Sequence, residues 1–212
     1  MNKLRLIFEK SGRAAYLSHL DVMRTFARAF ARAGIPLRYS EGFNPHPTIS
    51  IAHPLPVGFC GMRELLDCEI LEDGCETVAN KLNRALPDGL RVLSASARTG
   101  GAGDIRYAAY TLELIRNDGS FDQDTLRAEL EKRPLMAVKK SKKGPTEVDL
   151  GEHIEQMELD SSPDGITLRL LLRVREAPIN PRLIIGMLEG GLAPDFVRYR
   201  REGFFLADRV PL

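Results

Sequence analysis

Apolar and polar positions along this chain change their period in a regular succession. Residues 3–9 place Leu4, Ile7 and Phe8 in an imperfect alternation that predicts a strand, and Ser11-Gly12 then turns the chain. From Ser18 the period lengthens. Leu20, Met23, Ala27 and Phe30 recur at i, i+3, i+7 and i+10, with Phe26 beside them, which predicts an amphipathic helix to about residue 33 with those residues facing the core. Ser18 reads as its N-cap and Asp21 as a capping-box acid, while Gly34 and Pro36 end it.

An extended stretch at 37–40, a proline-rich loop at 42–47 and a strand at 48–52 follow, then a second proline-rich turn to Gly58. Residues 64–71 alternate as a strand, with Leu66, Cys68 and Ile70 on one side. Residues 76–86 carry Val78, Leu82 and Leu86 at helical spacing, stopped by Pro87 and Gly89, and 90–97 reads as another strand. Gly100 to Gly103 lacks the strand-to-helix setting of a phosphate-binding loop and reads as a linker. Beyond it the order recurs: strand 107–116, helix 122–132, strands 135–141 and 165–174, helix 180–189, strand 196–206. The pattern predicts an α+β protein of two tandem ferredoxin-like (βαββαβ) modules in a RAMP-like arrangement. The first spans 1–99 and the second 105–212, with a polar insertion at about 142–164. No residue-level repeat links the halves.

Composition changes this picture little. Hydrophobic content of 43% and charged content of 28% are those of an ordinary globular chain. The apolar runs are too short to span a bilayer, and the first residues lack a signal-peptide apolar stretch, so a cytoplasmic protein without membrane contact is expected. Cys60, Cys68 and Cys75 fit neither zinc-knuckle nor iron–sulfur spacing, and Cys68 reads as a small buried hydrophobe. Neither metal nor cofactor is expected.

Charge is less even than the net value of +1 suggests. Residues 1–63 hold nine Lys/Arg against three acids, an excess of +6 that the remaining chain offsets with −5. A basic lobe suits a phosphate-bearing partner, and it equally suits plain solvation and ion pairing.

The chemistry-bearing residues gather in the same region. Arg24, Arg28 and Arg32 recur at i, i+4 and i+8 on the first helix, a spacing that fits successive phosphates or an ordinary solvated helix side. Tyr39, Ser40, Gly42, Phe43, Asn44 and His46 lie in a loop stiffened by Pro45 and Pro47, where Phe43 and His46 are positioned for stacking or docking. The alternative is a rigid connection with Phe43 plugging the core. Ser18, His19 and Arg24 at a helix start form a candidate anion site, with His19 otherwise a second capping group. His53 and His153 stand alone. The lysine run at 139–143 reads as a solvated strand edge.

Three motifs then stand in order: Ser18-His19-Leu20-Asp21 before the arginine helix, Tyr39-Ser40-Glu41-Gly42-Phe43-Asn44-Pro45-His46-Pro47, and Pro54-Leu55-Pro56-Val57-Gly58. They resemble the bacterial radical-SAM-associated (radical-SAM-linked) proteins of unknown function. Looser likenesses follow at 146–150, 180–182 and 197–201. Thr48 stands where members often carry lysine, and 176–179 where many have a Gly-Ser turn. The resemblance implies a partner radical SAM enzyme on a separate chain and names no activity. The expectation is a non-enzymatic accessory module that binds RNA or another anionic substrate for that partner. One alternative is a metal-independent endoribonuclease similar to CRISPR-repeat processing enzymes, with His19 or His46, Tyr39 and Arg24 as its working groups. The other is a protein–protein adaptor.

Overall fold

Leu4, Leu6 and Phe8 alternate along β1 (Asn2–Lys10) and bury one face completely, which makes this strand the centre of the first unit. The computed structural model describes residues 2–71, 74–117, 121–141, 144–162, 165–175 and 178–212. Part of the basic run at 139–143 and residues 176–177 of the predicted turn lie outside them. The chain divides into two compact units, Met1–Asp104 with Arg201–Gly203, and Ile105–Arg200 with Phe204–Leu212. Among the described residues the architecture is α+β, with mostly antiparallel strands and four α-helices.

In the first unit β1 lies between β4 (Leu90–Ala97) and β3 (Phe59–Ile70), antiparallel to both, and the three-residue β2 (Ile49–Ile51) pairs with β3. Register sets Leu4 opposite Cys68, Leu6 opposite Leu66 and Phe8 opposite Glu64. The apolar face packs on α1 (His19–Arg32) and α2 (Val78–Asn83), with the Phe8 and Phe26 rings edge-to-face at 4.9 Å. The helix start is as predicted: Ser18 caps α1 and completes a capping box with Asp21. Its buried face differs. Val22, Phe26, Ala29 and Phe30 point inward, while Leu20 is 61% exposed. The i, i+4, i+7, i+8 row that includes Val22 competes with the row through Leu20, and bulk decides. The inward side keeps the expected Phe26 and Phe30 but takes Val22 and Ala29 in place of Leu20, Met23 and Ala27. Leu20 therefore heads the same outer row as Arg24, Arg28 and Arg32.

In the second unit the strand order is β10 (Phe196–Phe205), β5 (Tyr107–Ile115), β9 (Gly165–Arg173), β8 (Ile154–Ser162). The helices are α3 (Gln123–Glu131), capped by Asp122, and the single turn α4 (Arg182–Ile185), much shorter than the predicted 180–189. Leu112 faces Leu168, which in turn faces Leu159 of β8. Here the sequence reading needs correction. The stretch predicted as the second sheet strand is β6 (Met136–Ser141), which pairs only with β7 (Gly144–Asp149) in a separate two-stranded sheet. The polar insertion instead supplies β8. β6 lacks a buried apolar row, since Met136 and Val138 are half exposed, whereas β8 seats Leu159 in the core and turns Glu158 and Asp160 to solvent. Polarity on the outer side of a strand reads as an insertion when the chain is scanned linearly. No helix among the described residues is long and apolar enough to cross a membrane.

Candidate functional site in the first unit

The residues singled out from sequence fall into three local environments. At the start of α1 the Ser18 hydroxyl accepts from the Asp21 N–H (3.2 Å) and donates to the Asp21 carboxylate (2.6 Å). That hydrogen bond, assisted by the Arg24 charge, holds the Asp21 carboxyl below the usual range. Asp21 thus supplies negative charge where a bound anion would otherwise sit. Arg24 lies 3.9 Å from Asp21. Arg28 is exposed, and Arg32 donates to the Ala85 carbonyl (2.6 Å), tying α1 to the chain just after α2.

The loop between α1 and β2 is closed at its base. Tyr39 bridges to Pro47, the Ser40 N–H donates to the His46 carbonyl (2.8 Å), and the His46 N–H donates to the Ser40 hydroxyl (3.1 Å). The His46 ring Nδ1 lies 3.0 Å from the same hydroxyl and 3.3 Å from the Asn44 carbonyl. Gly42 at φ +125° makes the bend that a side chain would resist. At the tip Phe43 is 111% exposed, so it does not plug the core; Tyr39 is also largely exposed. Behind the loop, a cleft of about 220 Å³ is lined by Ser40, His46, Ser50, Asp67, Glu69 and Arg98 among others. Its acids are matched: Arg5 and Arg98 approach Asp67, and Arg38 approaches Glu69.

The third environment was not anticipated. Glu64, 1% exposed, faces Phe8 on the core side of the sheet and receives a two-pronged guanidinium contact from Arg201, 2% exposed. Arg201 also donates to the His53 carbonyl (2.7 Å). Lys10, equally buried, donates to the carbonyls of Ala15 and Leu17 (both 3.1 Å), which support the short 3-10 turn Gly12–Tyr16 that leads into α1. Burial lowers the Lys10 pKa, and the nearby Glu64 charge opposes that shift. His53 sits at φ +44° with its pKa lowered by burial first and Arg201 second. A cavity of about 10 Å³, near the lower limit for one water, lies among Phe8, Lys10, His19, Val22 and Glu64. The buried Nδ1 of His19 has no hydrogen-bond partner. His19 and His46 line different cavities.

Two further features bear on chemistry. The Cys68 thiol is buried and pushed up to about 12, which removes it as a nucleophile at neutral pH, and all three cysteines are free. The basic excess of residues 1–63 is largely absorbed within its own unit. With the acids of β3 and beyond, and with Arg201 and Glu202, the unit holds 14 basic and 12 acidic side chains. The unit is therefore close to neutral overall, and Arg24 and Arg28 stand exposed on the outer row of α1.

Residues 3–181 match the family described as uncharacterised proteins conserved in bacteria (DUF2344). No curated protein matches the chain. Among solved structures, an unknown protein from Galdieria sulphuraria is 13% identical over 81% of this chain and 80% of its own, with a TM-score of 0.27, a likeness that carries no argument.

Proposed function

The chain belongs to this family of uncharacterised bacterial proteins, which assigns no activity, and we propose that it is a non-enzymatic accessory module whose first unit binds RNA for a partner radical SAM enzyme. The observation that carries the reading is Phe43. A fully exposed aromatic ring on a loop locked at its base by Ser40 and His46 loses little freedom when a base stacks on it. The exposed guanidinium groups of Arg24 and Arg28 supply phosphate contacts that such stacking needs for affinity. The radical SAM partner rests on the three motifs of the N-terminal block. The strand order β4-β1-β3 with β2 on β3, and β10-β5-β9-β8 in the second unit, supports reading each unit as a ferredoxin-like module, β6 and β7 being an insertion in the second.

The endoribonuclease reading has less support. His46 is engaged by its own loop and His19 turns Nδ1 inward, and the two histidines line different cavities. The adaptor reading draws on Leu20, an exposed apolar residue heading the arginine row.

Single-stranded RNA binding measured at low and at physiological salt tests the proposal. Association at low salt is expected, weakened about tenfold in Phe43→Ala by loss of stacking. Arg24→Gln with Arg28→Gln reduces the salt dependence by about two phosphate contacts. No association at low salt, with or without the partner, overturns the RNA reading; capture of the partner that survives nuclease favours the adaptor.

A further inference from the structure

The second unit contains a cavity that this function does not use. About 520 Å³ in volume, it lies where β5 begins and β9 ends, beside the 3-10 turn Leu150–His153, and is lined by Arg106, Tyr107, Glu152, His153, Arg173 and Arg175. The volume is that of a small-molecule site. Six lining residues of which three carry guanidinium groups make it strongly cationic, with Glu152 as the acid in its wall.

The arginines are set by the sheet. Tyr107 stands opposite Arg173 in the β5–β9 register, and the pairing extends one step further through the Val174 N–H donating to the Arg106 carbonyl (3.0 Å). Arg175 follows two residues after Arg173, just beyond the end of β9, and lines the same cavity. Arg173 is held in place. Its Nε and Nη2 donate to Glu155 and its Nη1 to the Glu152 carbonyl, which uses three of its five N–H donors. Arg209 also donates to Glu155 (2.7 Å), so that carboxylate is neutralised twice and held well below its ordinary range. Glu155 therefore orients the Arg173 guanidinium, and because Arg209 shares the same carboxylate the three groups together keep a net positive charge.

We propose that this cavity binds a phosphate monoester bearing hydroxyl or amino donors, the chemical class of nucleotides and sugar phosphates. Guanidinium forks match the oxygens of a phosphate, Tyr107 and His153 offer a flat ring and a donor, and Glu152 accepts from the ligand's own N–H or O–H. The inference is independent of RNA binding by the first unit, because none of its residues lies there.

The test is titration of the full chain with AMP, inorganic phosphate and adenosine, followed by calorimetry. Saturable binding of AMP is expected, with inorganic phosphate weaker and adenosine weaker still. Arg175→Gln, on an exposed residue, weakens AMP by about tenfold. Arg198→Gln, which removes a surface arginine paired with Glu113 elsewhere in the same unit, leaves it unchanged. The melting temperature of each variant separates lost binding from lost folding. Absence of saturable AMP binding, AMP affinity no better than that of adenosine, or equal weakening by both substitutions overturns the proposal. Phosphate binding as tightly as AMP overturns the ester assignment. Loss of AMP binding with RNA binding intact separates this site from the one in the first unit.

Discussion

Arg201 and Glu64 lie 137 positions apart in sequence and meet as a fully buried ion pair in the first unit. Register explains where the acid sits. It occupies the position opposite Phe8, on the core face of the sheet that Leu4, Leu6, Leu66, Cys68 and Ile70 line, with the buried Lys10 beside it. A buried carboxylate there persists only because the guanidinium satisfies both of its oxygens.

Removing one partner is then far worse than removing both. Arg201→Met leaves Glu64 buried and unpaired and is expected to cost about 3–5 kcal/mol in urea unfolding. The double variant Arg201→Met with Glu64→Leu recovers most of that loss. Equal destabilisation in the single and double variants contradicts the account.

His53 supplies a pH signature. Its folded pKa lies below the unfolded value, because burial and Arg201 both disfavour the imidazolium. As pH falls through about 6.5 the unfolded chain takes up the proton first, so the stability supplied by neutral His53 is present above that point and lost below it. Asn accommodates the positive φ and retains the carbonyl that Arg201 uses. Chemical denaturation from about pH 8 to about pH 5 is expected to bring the wild type down relative to His53→Asn. A constant difference across the range refutes the assignment.

Gly165 opens β9 at φ +153°, and a Cβ there would stand 2.0 Å from the Leu114 carbonyl oxygen. Backbone must move to admit it. Gly165→Ala is expected to destabilise by more than about 2 kcal/mol, beyond ordinary surface substitutions, read as a lower denaturation midpoint. A wild-type midpoint contradicts the account.

Local chemistry was legible in the sequence where neighbours in the chain settle it. Ser18 with Asp21 announced the start of α1, and the alternation at Leu66, Cys68 and Ile70 announced β3. The face of α1 was read one row off, because Leu20 and Val22 offer competing helical rows and only the packing of Phe26 on Phe8 chooses. β8 was missed because its outer side is acidic and its partner strand supplies the apolar surface. Of the site, the loop at 39–47 was found from its prolines, whereas the ring of Phe43 was placed in solvent only by the fold. Glu64, Lys10 and Arg201 gave no local signal, since each looks like an ordinary surface charge until the strands are paired.

The place of Arg201 also orders events during synthesis. The first unit encloses Glu64 with an arginine that leaves the ribosome only after nearly all of the second unit has been made. Until then the nascent first unit carries a buried carboxylate without its guanidinium partner, with the nearby Lys10 as its counter-charge. A fragment cut at the end of residue 104 inherits the same defect permanently.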